Sequence, residues 1–212
     1  MPARLFGDLQ GKRALDLCAA PGGKTAQLCR AGGEVRAVEI DGNRARRLRA
    51  NLERLGMDAR VVVGDAFKLT DEEIGGPFPR VLLDAPCSST GTIRRHPDVA
   101  WTKTPEDVAK LADLQARLLR RAASLTAPGG TLVFANCSLL PEEGEEVVEA
   151  FLRERGDFRL DPIDWRELGA DEAALAPMIA DGALRVTPDM LPHEHARLAG
   201  LDGFYAARLR RD

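Results

Sequence analysis

Short hydrophobic runs alternate with amphipathic stretches along most of the chain. The hydrophobic runs predict strands at residues 13–18, 34–40, 60–63, 80–84 and 131–136. Between them, apolar residues recur three or four positions apart, which is the spacing of one face of a helix. This spacing predicts helices at residues 23–31, 44–55, 104–125 and 141–155. Strands that alternate with helices are typical of a mainly parallel sheet with helices on both faces.

The last part of the chain is less regular. Residues 185–186 and 204–209 predict a final antiparallel pair of strands, and residues 168–192 predict a long loop. The expected fold class is therefore α/β, with a mainly parallel sheet of seven strands. No shift in composition marks a domain boundary, so residues 1–212 are expected to form a single domain.

Composition and charge narrow the classes of protein. The chain has 212 residues, is 44% hydrophobic and carries a net charge of −3. That charge argues against a protein that coats nucleic acid through a strongly basic surface. Four cysteines without C-x-x-C spacing and only three histidines predict reduced thiols and no metal. No apolar run is long enough to span a membrane, and residues 1–8 have no apolar core of a signal peptide. Together with reduced thiols, this predicts a cytoplasmic protein, which we expect to be a monomer.

A glycine-rich turn joins the first predicted strand to the first predicted helix, in residues 16–25 (DLCAAPGGKT). A phosphate-binding P-loop needs a glycine where this chain has Cys18, and the G-x-G-x-x-G dinucleotide fingerprint is also absent. What remains is a turn in which backbone amides can approach a ligand. The helix N-terminus beside it favours an anionic group such as a carboxylate.

Two acidic residues follow at the same edge of the predicted sheet. Glu39 ends the second strand, where an acid can accept hydrogen bonds from a ribose diol, and Asp41 is an alternative for that role. Asp65 follows the third strand, where it would face an adenine edge. Each acid alone is equally compatible with a solvated loop. Together with the turn, their order along one edge favours a nucleoside cofactor.

Two cysteines end later strands, and each is followed by serine. Cys87 lies in residues 82–91 (LLDAPCSSTG) and Cys137 in residues 132–138 (LVFANCS). Free cysteines are often small buried hydrophobes, and we accept that interpretation for Cys29. Cys18 is expected to contribute mainly its backbone. Because Cys87 and Cys137 fall where a parallel sheet presents its ligand-binding edge, they predict covalent catalysis beside the cofactor.

These motifs resemble those of the Sun/Fmu/RsmB-type RNA cytosine methyltransferases. The similarity is carried by residues 16–25, 84–88 (DAPCS), 94–101 (RRHPDVAW), 137–143 (CSLLPEE) and 202–206 (DGFYA). It implies a Rossmann-like class I methyltransferase fold and S-adenosylmethionine as cofactor. It also implies 5-methylcytosine in RNA as product, with ribosomal RNA as the first expected substrate and transfer RNA as the second.

The resemblance also implies roles for single residues. Cys137 is expected to be the catalytic nucleophile, Cys87 to help release the product, and Asp84 to act beside the base. The residues expected to bind the cofactor are Cys18, Ala19, Ala20, Pro21, Gly22, Gly23, Lys24, Glu39, Asp65 and Asp84. One position departs from the family pattern, since Asn136 stands where threonine usually precedes the nucleophile. Asparagine can also form hydrogen bonds there.

Several exposed-looking residues follow the fourth strand. Arg94, Arg95 and His96 are placed to contact phosphates that flank a flipped-out cytosine. Trp101 either stacks on a base or packs inside the protein. The N-terminal RNA-binding region of the family is expected to be absent from this chain, so RNA binding by the chain alone is expected to be weak.

Two other functions stay open. A methyltransferase that acts on an amine or a protein side chain often carries Asn/Asp-Pro-Pro-aromatic after the fourth strand, which residues 84–87 (DAPC) do not match. A non-catalytic RNA-assembly factor with a retained cofactor site would need neither Cys87 nor Cys137. A covalent adduct between protein and RNA would distinguish these alternatives from a cytosine methyltransferase.

Overall fold

A computed structural model describes residues 2–195 and 199–212 of the chain. The strands in these ranges are β1 (Arg13–Leu17), β2 (Glu34–Glu39), β3 (Arg60–Val63), β4 (Phe78–Asp84), β5 (Thr126–Asn136), β6 (Phe158–Leu160), β7 (Ile179–Ala180), β8 (Ala183–Val186) and β9 (Phe204–Arg211). The α-helices are α1 (Gly23–Arg30), α2 (Gly42–Arg54), α3 (Asp71–Ile74), α4 (Val99–Thr102), α5 (Pro105–Ser124), α6 (Glu145–Glu154) and α7 (Glu172–Leu175). None of these helices is both long enough and apolar enough to cross a membrane.

The strands form one sheet, in the order β3-β2-β1-β4-β5-β9-β8-β7, with β6 also paired to β9. The first five strands in this order are parallel to one another. The remaining pairs, which involve β9 and β8, are antiparallel. Because the chain moves outward in one direction from β1 to β3 and in the other from β4 to β5, a switch point lies between β1 and β4. Ligands bind at such a point, beyond the carboxyl ends of the strands.

Each face of the sheet has its own hydrophobic core. Leu83 and Phe134 lie in the core that contains the apolar faces of α5 and α6. Their chain neighbours Leu82 and Val133 lie in the opposite core, with Leu28 of α1 and the N-terminal 3-10 turn. Successive residues of a strand point to opposite faces, so this division follows from the pleat. The predicted α/β class with helices on both faces is confirmed.

The predicted number of seven strands is wrong for the described ranges, which contain nine. The five parallel strands and the antiparallel pair are confirmed, with Arg185 of β8 opposite Tyr205 of β9. The two additional strands, β6 and β7, have three and two residues. Segments this short have no detectable alternation of apolar and polar residues, and they are held by pairing to β9 and β8.

Three predicted segments differ from the structure by more than two residues. Residues 168–192 contain α7, β7 and β8 rather than one loop. β5 begins at Thr126 and includes the expected turn at residues 128–130, opposite a register shift in β4. The helix predicted at residues 141–155 begins only at Glu145, because a 3-10 turn at Pro141–Glu143 and a non-helical Gly144 precede it. This break leaves the side chain of Glu143 in the protein interior, where it is 0% exposed.

Candidate functional site

A cavity of about 660 Å³ opens at the carboxyl ends of the parallel strands. It brings together residues from the glycine-rich turn, from the ends of β2 and β3, and from the segments after β4 and β5. Its predicted functional residues are Cys18, Ala20, Pro21, Lys24, Glu39, Asp65, Asp84, Cys87 and Cys137. The two thiols therefore face the same space as the acids predicted to bind a cofactor.

The turn between β1 and α1 divides its residues between two cavities. Ala19 and Gly23 line a neighbouring cavity of about 680 Å³. Gly22 lines neither, and its φ of 104° lies in the left-handed region that favours glycine. A Cβ atom at Gly22 would lie 2.6 Å from Leu48 Cδ1 of α2. The left-handed φ and the close packing on α2 explain why this position requires glycine.

The Glu39 carboxylate is held in place by backbone N–H groups from two loops. Its side chain is 1% exposed, and its two oxygens accept the backbone N–H groups of Ala20 and Asp41, each at 3.1 Å. The Arg44 guanidinium lies 3.5 Å away. Asp41, the alternative to Glu39, instead accepts the Arg44 N–H at 2.8 Å and caps α2. The geometry therefore favours Glu39 over Asp41 as the acid that faces a ligand.

Asp65 lines the same cavity. Its Oδ1 accepts the Phe67 N–H at 3.0 Å, which fixes the carboxylate in a short turn. The Phe67 ring, 39% exposed, borders the cavity, and the Arg117 guanidinium lies 4.9 Å from the ring centroid. A carboxylate beside an accessible ring is a suitable surface for a flat heterocycle with an amino group.

Asp16 was not among the predicted site residues. It lies within β1, is 0% exposed, and accepts the Thr25 hydroxyl at 2.6 Å through Oδ2. Its Oδ1 has no hydrogen-bond partner among the described residues. Burial raises the pKa of Asp16 to about 7, against the hydrogen bond from Thr25, which lowers it. An acid inside an apolar strand run is the sequence signal that marks this position.

Lys24 and Asp84 form an ion pair between the two cavities. Lys24 Nζ lies 2.6 Å from Asp84 Oδ2, and both side chains line both cavities. On the side of the second cavity, Lys24 Nζ is 5.5 Å from the centroid of the Phe204 ring. The predicted cofactor turn and the predicted catalytic acid therefore meet in one wall.

The two predicted catalytic thiols are in contact. Cys87 Sγ and Cys137 Sγ are 3.5 Å apart, and Ser89 Oγ lies 3.6 Å from Cys137 Sγ. The pKa of Cys137 is lowered, chiefly because the Cys87 thiol donates a hydrogen bond to its sulfur; hydrogen bonding with Ser89 adds to this, while burial opposes it. The same contact raises the pKa of Cys87, and burial raises it further. The pair therefore consists of a thiol that ionises readily and a thiol that keeps its proton.

Cys18 behaves differently from this pair. Burial raises its pKa to about 12, and the nearby Glu39 carboxylate raises it further. Its φ is 62°, so its backbone shapes the turn. This agrees with the prediction that Cys18 contributes mainly its backbone.

A buried hydrogen-bond network under the thiols was not predicted from the sequence. The Glu143 carboxylate accepts hydrogen bonds from the serines that follow the two cysteines, Ser88 and Ser138, and from Gln115 of α5. The unusual Asn136 joins this network. Its Nδ2 donates to the Glu143 carbonyl oxygen, and its Oδ1 accepts the Ser138 N–H at 3.0 Å. Both the amide nitrogen and the amide oxygen of Asn136 therefore have a hydrogen-bond partner.

Gly91 connects the Cys87 segment to two other parts of the site. Its N–H donates to the Cys137 carbonyl oxygen at 2.8 Å, and its carbonyl oxygen accepts the Gly203 N–H at 2.7 Å. A Cβ atom at Gly91 would lie 2.2 Å from the Gly203 oxygen and 2.7 Å from the Cys137 oxygen. Only glycine allows the three segments to approach this closely.

The residues predicted to contact RNA lie on the surface beside the second cavity. Arg94 and Arg95 line that cavity, and Arg95 Nε donates to Asp202 at 2.8 Å. His96 is exposed but borders neither cavity. Trp101 is 89% exposed, so the alternative that it packs inside the protein is wrong. In residues 2–195 and 199–212, no cluster of three or more His, Cys, Asp or Glu side chains could hold a metal ion.

Comparisons with known proteins agree with this arrangement. Residues 6–210 match the family model described as 16S rRNA methyltransferase RsmB/F. The ribosomal RNA small subunit methyltransferase B of Pseudomonas syringae pv. tomato is 42% identical over an alignment of 217 positions. The alignment covers 98% of this chain and 45% of that protein.

Two solved structures resemble the whole chain. The crystal structure of PH0851 has a TM-score of 0.83 and 32% identity, and covers 99% of this chain and 45% of its own. The crystal structure of NSun6 from Pyrococcus horikoshii with SFG has a TM-score of 0.78 and 28% identity, and covers 99% of this chain and 50% of its own. This chain spans half the length of these three proteins or less.

Proposed function

Because the chain belongs to the RsmB/F family of 16S rRNA methyltransferases, we propose that it transfers a methyl group to carbon 5 of a cytosine in RNA. The methyl donor is S-adenosylmethionine. RNA of the small ribosomal subunit is the first candidate substrate, and transfer RNA the second. The reaction proceeds through a covalent bond between Cys137 and the base.

The contact between the two thiols carries the proposal. Cys87 and Cys137 are 3.5 Å apart at the edge of a cavity that also contains Glu39 and Asp65. Cys18 borders the same cavity, but only Cys87 and Cys137 bring their sulfurs into contact there. Methyl transfer to an amine does not need a thiol, because nitrogen supplies its own electron pair. The thiol pair therefore supports carbon rather than nitrogen as the methyl acceptor.

The cavity fits S-adenosylmethionine, which supplies an activated methyl group when it is bound. Its volume of about 660 Å³ lies within the range of about 300–1,000 Å³ that is usual for small-molecule sites. Glu39 would bind the ribose hydroxyls, because each of its oxygens accepts one backbone N–H and retains capacity for another hydrogen bond. Asp65 and Phe67 would hold the adenine by hydrogen bonding and stacking.

Cys137 would act as the nucleophile. Carbon 5 of cytosine reacts poorly with a methyl donor, and a thiolate that adds to carbon 6 makes carbon 5 electron-rich. In this step the S–C6 bond forms while the 5,6 double bond opens. The thiolate is the reactive form of cysteine, and the hydrogen bond from Cys87 that lowers the Cys137 pKa stabilises it.

Asp84 and Lys24 would orient and activate the base. Asp84 would accept a hydrogen bond from the exocyclic amine of cytosine, or from ring nitrogen 3 once that nitrogen has taken up a proton to neutralise the charge that develops as the thiolate adds. Lys24, at 2.6 Å, holds the Asp84 carboxylate in place. Because Lys24 comes from the glycine-rich turn, the same residue links the cofactor side of the cavity to the base.

Cys87 would take part in product release. After methylation, the proton on carbon 5 must be removed before the S–C6 bond can break and restore the double bond. The pKa of Cys87 is raised mainly by its hydrogen bond to Cys137. Once the Cys137 sulfur is bonded to carbon, the anion that causes this rise is gone. Cys87 then becomes easier to ionise at the stage that needs a base.

A covalent trapping experiment tests the proposal. The purified protein is incubated with S-adenosylmethionine and a transcript of 16S rRNA, and adducts are resolved on a denaturing gel. Cys87→Ala should accumulate a protein–RNA adduct on Cys137, and Cys137→Ala should form none. Mass spectrometry of nucleosides should find 5-methylcytosine with the unaltered protein. A methyl group on the exocyclic amine, or an adduct that persists in Cys137→Ala, would refute the mechanism.

A further inference from the structure

We propose that Glu143 is a positioning residue that holds the Cys87 and Cys137 segments in register, so that the two sulfurs stay in contact. This proposal rests on the proposed function for its catalytic meaning. Glu143 lies in the 3-10 turn between β5 and α6 and is 0% exposed. Its carboxylate accepts hydrogen bonds from Ser88, Gln115 and Ser138 rather than from either thiol. Its effect on catalysis would therefore be transmitted through the residues that follow each cysteine.

The Glu143 carboxylate accepts four hydrogen bonds. Oε1 accepts the Ser88 N–H at 2.8 Å and the Gln115 amide at 3.0 Å. Oε2 accepts the Ser138 hydroxyl at 2.6 Å and the Ser88 hydroxyl. A carboxylate has about four acceptor sites, so these bonds use its full capacity. One buried group thus joins three segments of the chain.

Each of these bonds fixes a position next to a reactive cysteine. Ser88 directly follows Cys87, and Pro86 directly precedes Cys87. The Gln115 amide also donates a hydrogen bond to the Pro86 carbonyl oxygen at 2.9 Å. Ser138 directly follows Cys137, and Asn136 directly precedes Cys137. The Asn136 side-chain amide donates a hydrogen bond to the Glu143 carbonyl oxygen. Both cysteines are therefore bracketed by residues bonded to Glu143 or Gln115. The distance between the sulfurs depends on this shared support.

The direction of the surrounding hydrogen bonds requires an acceptor at position 143. Ser138 Oγ already accepts the Leu140 N–H at 3.0 Å, and its contact with Thr90 Oγ1 is 3.1 Å. Thr90 Oγ1 in turn accepts the Leu139 N–H at 2.9 Å, which leaves its proton free to point toward Ser138. The Ser138 proton is thereby directed at Glu143. A glutamine at position 143 would replace one carboxylate oxygen by an NH₂ group. That group would face N–H or O–H donors that now bind the carboxylate.

The thiol contact is the property that Glu143 would protect. The hydrogen bond from Cys87 is the main cause of the lowered pKa of Cys137, so separation of the two segments would raise that pKa. It would also move the nucleophile relative to Asp84 and the base. Misplacement of a catalytic group by about 1 Å can cost about a hundred-fold in rate.

Alkylation of Cys137 by iodoacetamide tests the proposal without RNA or cofactor. The reaction rate is measured against pH by peptide mass spectrometry in three proteins: unaltered, Glu143→Gln and Glu142→Gln. Glu142 is the exposed neighbour of Glu143 in the same turn and serves as the matched control. We expect the pH midpoint to rise by about one unit in Glu143→Gln and to stay within about 0.2 units in Glu142→Gln.

A double-mutant cycle separates positioning from general loss of structure. If Glu143 acts through the contact between the sulfurs, Glu143→Gln should no longer shift the Cys137 midpoint once Cys87→Ala has removed that contact. An equal shift in both backgrounds would overturn the proposal. A merely structural defect would lower thermal stability but would not depend on Cys87 in this way.

The consequence for catalysis is measured separately by methyl transfer. Glu143→Gln should lower kcat by about ten- to a hundred-fold and change KM for RNA by less than about three-fold. If neither the unaltered protein nor any variant methylates RNA, the proposed function is refuted. The alkylation experiment still decides whether Glu143 positions the two cysteines, because it needs neither RNA nor cofactor. If Glu143→Gln does not fold, Ser138→Ala removes one of the four bonds. This variant should raise the Cys137 midpoint by a smaller amount, and an unchanged midpoint would overturn the proposal.

Discussion

The cofactor side and the thiol side of the cavity are held together in different ways. On the cofactor side, each acid is fixed by backbone groups of its own or an adjacent turn, as when Ala20 and Asp41 bind Glu39. On the thiol side, the segments that carry Cys87 and Cys137 share one buried carboxylate, Glu143. A substitution on the cofactor side should therefore have a local effect, whereas one on the thiol side should affect both sulfurs.

The largest expected effect tests whether the two sides are separable. Cys137→Ala should lower methyl transfer by at least about a thousand-fold, because it removes the proposed nucleophile. Its Kd for S-adenosylmethionine, measured by calorimetry, should stay within about two-fold of the unaltered value, since no acid of the cofactor side is changed. Cys29→Ala, a cysteine outside the cavity, is the control and should leave both quantities unchanged. A large loss of cofactor affinity in Cys137→Ala would show that the sides are not separable.

The next effect concerns the close approach at Gly91. Gly91→Ala should destabilise the protein by about 3 kcal/mol or more, because the new Cβ would clash with backbone oxygens that cannot move independently. Chemical denaturation measures the free energy of unfolding. The matched control is Gly42→Ala, since a Cβ at Gly42 has no atom within 4 Å and alanine is favourable in a helix. Equal stability of the two variants would contradict the packing described here.

On the cofactor side, Asp65→Ala should weaken binding of S-adenosylmethionine by about ten-fold, the cost of one hydrogen bond to a polar ligand group. The pH profile of Cys137 alkylation should not change, because Asp65 does not contribute to the lowered pKa of Cys137. Asp41→Ala is the control. It removes a helix cap worth about 1 kcal/mol of stability and should leave the Kd unchanged. A shifted alkylation profile in Asp65→Ala would break the distinction between the two sides.

The smallest effect is a shift in pH dependence. Cys87→Ala removes the main cause of the lowered pKa of Cys137, so that pKa should rise. For a rise of about one unit from a pKa of about 6, alkylation of Cys137 should slow by about two-fold at pH 7, approach a ten-fold slowing well below pH 6, and recover at alkaline pH. Ser89→Ala should produce a shift in the same direction but smaller. A midpoint that falls in Cys87→Ala would contradict the assignment of Cys137 as the more acidic thiol.

The same contrast explains how much the sequence could predict. Glu39, Asp65, Asp84 and the two cysteines all lie at or just beyond the carboxyl end of a strand. A strand end in a parallel sheet has a known location, so the apolar pattern was sufficient to bring them together. Glu143 could not be predicted in this way. It falls in what the apolar spacing predicts as the first turn of a solvated helix, and only the break at Gly144 leaves it buried.

The fold shows the same limit. The five parallel strands were predictable because each contains a short run of mostly apolar residues between two helical segments. In β1, β4 and β5 most of that run is buried on both faces of the sheet. β6 and β7 were not, because their formation depends on β9 and β8 as partners rather than on a pattern of their own. Residues whose placement depends on contacts distant in sequence were thus the ones missed, in the sheet and in the site alike.

The Lys24–Asp84 ion pair is a charged wall that the two cavities share. The pair lines both cavities, so a ligand that draws either charge toward itself on one side changes the electrostatic environment on the other. Linkage is reciprocal: the factor by which RNA changes the affinity for cofactor equals the factor by which cofactor changes the affinity for RNA. For the ligands proposed here, the order of binding is therefore a matter of kinetics, whereas the coupling free energy between the two ligands is the same whichever of them binds first.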